Sequence, residues 1–181
     1  MMKRILLSAL ALGALALSAP AALAHVVLAE PRAEAGGYYA GFFRISHGCG
    51  ASPTVAVRIE IPDGITTARP QPKAGWRLLV ERETLAQPIQ SEGGLITERV
   101  RAITWRGRLP ADQFDQFGIV MKLPAQAGPI YFRTIQTCAD GERRWIDIPA
   151  DGQAWGSLPN PAPVLTLYSN TQEEHAHDHH H

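Results

Sequence analysis

Thr54-Val55-Ala56-Val57-Arg58-Ile59-Glu60-Ile61 alternates apolar and polar side chains. Val55, Val57, Ile59 and Ile61 fall on one face, Arg58 and Glu60 on the other. A period of two over eight residues is the pattern of a half-buried β-strand. The same reading extends along the chain to Val26–Ala29, Tyr38–Ser46, Trp76–Arg82, Leu95–Arg106, Phe117–Leu123, Ile130–Thr137, Arg143–Ile148 and Val164–Tyr168. Turn signals punctuate them: Gly36-Gly37, Pro62-Asp63-Gly64, Pro70 to Gly75, Gly93-Gly94, Ala127-Gly128-Pro129 and Asp140-Gly141. No helix-period stretch of useful length competes. Short strands at regular spacing predict an all-β protein, an antiparallel β-sandwich.

The chain has 181 residues, 45% of them hydrophobic and 19% charged, which suits one globular domain with tails. Seventeen basic residues balance seventeen acidic ones, so nothing marks a nucleic-acid partner. Residues 1–24 read as a secretory signal: Lys3 and Arg4, an apolar run from Ile5 to Leu17, then the small-x-small site Ala22-Leu23-Ala24. Cleavage between Ala24 and His25 would export the chain to the periplasm or beyond, and leave 15 basic against 17 acidic residues. No later stretch is long and apolar enough to predict a membrane span. From Asp151 the chain turns Pro, Gly and polar rich. The sequence therefore divides into a signal peptide (1–24), a sandwich domain (25–155) and an extension (156–181) whose end, 171–181, is expected to be disordered.

Histidine distribution points to chemistry. Five of seven histidines (His175, His177, His179, His180 and His181) crowd the last seven residues; only His25 and His47 remain elsewhere. Ala176 and Asp178 interrupt the terminal run, unlike a standard expression tag. It reads as an accessory, low-specificity metal collector. Cleavage would make His25 the amino terminus. Its amine, with a pKa near ~8, and its imidazole, the commonest side-chain metal ligand, could then chelate one ion. Glu30 is a poor additional ligand, since five residues of strand span ~16 Å; Glu34 lies farther along.

Cys49 and Cys138 are the only cysteines. In an exported chain a disulfide is the default, with thiolate ligation of a soft metal such as Cu(I) as the competing reading. Met121 is the single methionine after residue 24, so no thioether cluster supports the second. A bridge would hold the His47 loop beside the hairpin that carries Trp145.

Five segments, in order, resemble the YcnI-like family of bacterial exported copper-binding domains. They are His25-Val-Val-Leu-Ala-Glu-Pro31, Ser52 to Ile65, Pro70-Gln-Pro-Lys-Ala-Gly-Trp76, Phe114-Asp-Gln-Phe-Gly118 and Phe132 to Trp145. The resemblance runs from His25 to about Trp155. It implies a sandwich of immunoglobulin or cupredoxin-like character. It also implies a Cu(II) site on the terminal histidine, a histidine brace, completed by a loop carboxylate and a nearby tryptophan. The tryptophan falls on Trp145, as site wall or as core. The carboxylate has no counterpart, because that loop reads Ile45-Ser46-His47-Gly48-Cys49-Gly50, and His47 stands where an acid is expected. Imidazole is a good Cu(II) ligand, and a backbone-bonded loop histidine is the alternative. Trp76 and Trp105 are read as ordinary core or surface residues.

The resemblance implies a copper-binding protein for acquisition, homeostasis or delivery, passing copper to another envelope protein or a membrane transporter. A copper-dependent oxidoreductase is the second reading, which reductant-dependent peroxide formation would reveal. A non-metal adhesion sandwich is the third. No nucleophile elbow, catalytic carboxylate pair or phosphate-cradling loop favours an enzyme.

Overall fold

A computed structural model describes residues 25–91 and 93–169. The signal segment and all five tail histidines lie outside the described residues. Twelve strands are present: β1 (Val27–Leu28), β2 (Arg32–Glu34), β3 (Tyr38–Ile45), β4 (Thr54–Glu60), β5 (Thr67–Pro70), β6 (Arg77–Ser91), β7 (Gly94–Leu109), β8 (Asp115–Lys122), β9 (Gly128–Tyr131), β10 (Thr134–Cys138), β11 (Glu142–Trp145) and β12 (Val164–Tyr168). One short 3-10 turn, Trp155–Ser157, interrupts the return to β12.

The strands form three sheets, ordered β1-β3-β8-β5, β11-β10-β4-β7-β6 and β2-β12-β9. Every pairing is antiparallel except β12 with β2, which is parallel. The first two sheets face each other. Trp105 of β7 packs on Phe117 of β8 at 5.4 Å between ring centroids, and Phe43 of β3 meets Phe132 at 5.1 Å. The third sheet brings Leu165 and Leu167 into the same core. The protein is thus an all-β sandwich, as the alternation predicts.

Trp105 is a core residue and Trp76 is half-buried against the core, and both rings contact Phe117. Trp105 is fully buried and donates its indole N–H to the Gln71 carbonyl at 3.0 Å. Trp76 lies edge-on to Phe117 at 5.0 Å. It rests over Gly107, where a Cβ would come within 2.4 Å of the indole.

Three local readings differ from the structure. In β4, Val57 and Ile59 are buried as expected, as is Ile61 just beyond its end, but Thr54 is buried in place of Val55. A register shift between Thr54 and Ala56 puts the chain out of phase there, the effect of a β-bulge. The stretch Ile130–Thr137 is two strands in different sheets: β9 pairs with β12, β10 with β4 and β11. Phe132, at the crossing between them, is fully buried. Strands β2 and β5, unpredicted, are short segments that join the sheets as edges. Residues 156–169 stay within the fold, since β12 lies between β2 and β9.

Candidate metal centre

β1 is the outer strand of its sheet, with Val27 opposite Arg44 and Leu28 opposite Phe43. Continuing that register by two residues sets His25 opposite Ser46, directly beside His47. The ladder therefore brings the two isolated histidines of the sequence to one end of the sandwich.

The His25 ring is held between two indoles. Trp145 meets it edge-on at 5.5 Å between centroids, and Trp155 at 5.4 Å with an interplanar angle of 86°. His25 Nδ1 is buried and has no hydrogen-bond partner among the described residues. A buried polar nitrogen without a partner costs roughly 1–3 kcal/mol. Nδ1 is also the ring nitrogen nearest the backbone amine, the one a terminal chelate would use. The orphaned atom thus fits a metal ion held by His25. Among the described residues, no group of three or more His, Cys, Asp or Glu side chains is gathered to hold a metal ion.

Trp145 is a core residue that also touches the His25 ring. It is 5% exposed and forms one wall around His25. Its partner is Gln136, 2% exposed on β10. The Gln136 carbonyl oxygen accepts from the Trp145 indole N–H at 3.3 Å. Its amide group donates to the His47 carbonyl and to the Thr54 hydroxyl, each at 2.8 Å. One buried amide thus ties the Trp145 wall, the His47 loop and β4 together. The sequence reading missed Gln136. Its signal was phase: Thr134, Gln136 and Cys138 share one face of β10, and all three are buried. Replacing Gln136 with Leu strands the Trp145 N–H and removes the donor to the His47 carbonyl. The expected loss is roughly 1–3 kcal/mol of folding stability, read by chemical denaturation.

His47 sits on a tight loop. Its Nδ1–H donates to the Gly48 carbonyl at 2.5 Å, the backbone bond considered as the alternative to ligation. Because a carbonyl can only accept, Nδ1 carries the hydrogen of this bond, and in the neutral ring Nε2 is the nitrogen left to bind an ion. Gly48 is required there, because a Cβ would lie 2.1 Å from the Ser52 carbonyl oxygen. Cys49 and Cys138 form a disulfide, with Cα atoms 6.1 Å apart, which rules out thiolate ligation by the pair. The bridge joins the His47 loop to β10, two residues from Gln136.

Glu30 and Glu34 lie away from this end. The Glu30 carbonyl accepts from the Tyr39 hydroxyl at 2.5 Å, and Tyr39 is at the opposite end of β3 from Ser46. Burial pushes the Tyr39 phenol up to about 12, with the Glu30 carboxylate adding to the shift. Glu34 is exposed on β2, opposite Tyr168.

Trp155 is the second residue that the sequence reading did not single out. It lies outside any strand, on the connection from β11 to β12, and its indole N–H donates to the Ala162 carbonyl at 2.7 Å.

No curated protein matches the chain. Among solved structures, the chain is similar to an uncharacterized protein from Nocardia farcinica whose crystal structure has an immunoglobulin-like fold. The two are 26% identical with a TM-score of 0.59, over 80% of this chain and 99% of that one. The seventh ScaB type I cohesin from Pseudobacteroides cellulosolvens matches at 12% identity and a TM-score of 0.38, over 87% and 97% of the two chains. Residues 25–167 match the family described as "Domain of unknown function (DUF1775)", and the chain belongs to that family.

Proposed function

We propose that this is an exported copper-binding protein that begins at His25 after cleavage, and that it captures Cu(II) as cargo. The observation that carries the reading is the buried, partnerless Nδ1 of His25 between two indole walls. The terminal amine and Nδ1 would hold the ion, with His47 Nε2 as the third nitrogen. Divalent copper heads the affinity series for such nitrogen donors. The resemblance to YcnI-like domains, which fall within the DUF1775 family, supports the same reading. Binding for acquisition, homeostasis or delivery suits it better than turnover. Its receivers would be an envelope copper protein or a membrane transporter. Among the described residues no helix is long and apolar enough to cross a membrane.

Copper titration with EPR, on the chain from His25 without residues 171–181, tests this. The expected result is one type 2 Cu(II) site whose affinity His25→Ala lowers by on the order of 10²–10⁴. His47→Ala should reduce the nitrogen hyperfine splitting; an unchanged spectrum would remove His47 from the ligand set. A protein that takes up no Cu(II) at one equivalent contradicts the proposal.

A further inference from the structure

The connection from β11 to β12 is fastened to itself. The Ile146 and Asp147 N–H groups both donate to the Asn160 carbonyl at 3.0 Å. The Asn160 N–H donates to the Asp147 carboxylate at 3.0 Å, and the Ala162 N–H to the Asp147 carbonyl at 2.8 Å. Trp155 hangs from this closed base through its bond to the Ala162 carbonyl. It belongs neither to the hydrophobic core that holds Trp105 and Trp145 nor to the partly buried residues, Trp76 among them, packed against that core. Its aromatic contact is the ring of His25. A large indole that the core does not use, anchored by its own loop and set edge-on to one imidazole, has a local task.

We propose that Trp155 is a positioning residue for His25. It holds the imidazole in the rotamer that turns Nδ1 inward, and it slows exchange of the bound ion by closing that side of the site. The exchange part rests on the copper reading given above; the rotamer part does not. The physical basis is the edge-to-face attraction of two rings and the restriction of His25 to one staggered well. Preorganisation of this kind lowers the ordering cost of binding and acts mainly on release.

The test uses the chain from His25 to His181 with Trp155→Ala and Trp155→Phe. Ring-proton NMR on metal-free protein reads the His25 rotamer. Copper release to excess EDTA reads exchange, taking the kinetic phase that His25→Ala removes. In Trp155→Ala the His25 ring should populate a second rotamer. Release should accelerate by roughly tenfold, the scale of one lost aromatic pair, with the EPR nitrogen pattern unchanged. Trp155→Phe, which keeps a ring edge, should stay within about twofold of wild type by the same reasoning. A role in folding alone would lower the melting temperature of both variants and leave the His25 rotamer untouched. An unchanged rotamer together with an unchanged release rate in Trp155→Ala overturns the proposal. If the wild-type Cu(II) spectrum does not depend on His25, the copper reading fails; the rotamer arm, read without metal, still decides the positioning role.

Discussion

Replacing Cys49 and Cys138 together with Ala is expected to cost about 4–5 kcal/mol of folding stability, by the chain-entropy account of cross-linking. The bridge spans 89 residues, most of the sandwich. It restricts the unfolded chain far more than a local bridge would, because closure entropy grows with loop length. The folded state loses something too. Cys49 and Ser52 pair through a short bridge of backbone hydrogen bonds, and the Ala139 N–H donates to the Pro53 carbonyl. Without the bridge, the Ala139 bond and the Gln136 bond to the His47 carbonyl are left to hold the loop beside β10. A marginal domain stability of about 5–15 kcal/mol would be cut by about a quarter or more. Urea denaturation of the oxidised protein and of the double variant measures the difference. A loss under 1 kcal/mol would mean that the bridge is incidental to the fold.

The second large effect concerns the amino terminus. One residue added before His25 turns its amine into an amide, which has no basic lone pair to offer. The imidazole would then act without its tethered partner. A second ligand held in place by the first raises effective concentration enough to change affinity by on the order of 10²–10⁴, so a loss in that range is expected. His25→Ala keeps the amine and removes the ring, and should cost a comparable amount. The two losses should not add fully, since each breaks the same chelate.

The fold was legible because sandwich strands announce themselves by alternation. β3 and β12 coincide closely with the expected segments, and β4 does so apart from its bulge. What escaped had physical reasons. Phe132-Arg133 carries no Gly or Pro, so the crossing from β9 to β10 leaves no local mark; only the sheet partners reveal it. β2 and β5 pair through backbone groups, and the alternation of a buried face is too short in them to read. β6 runs on through Thr84–Ser91, where polar residues conceal pairing with β7. At the candidate site, His25 stood out because histidine is scarce in the body of the chain. Gln136 did not, because a buried amide looks like any exposed polar residue until its partners are known. Trp155 sits in irregular chain, and nothing in its neighbours tells a wall over His25 from a surface ring.

The copper account depends most directly on the free amine of His25. The decisive measurement is a Cu(II) competition titration comparing the chain that begins at His25 with one that carries a single extra Ala before it, both without residues 171–181. The account predicts one tight site in the first and an affinity lower by on the order of a hundredfold or more in the second. Equal affinities in the two proteins would contradict it.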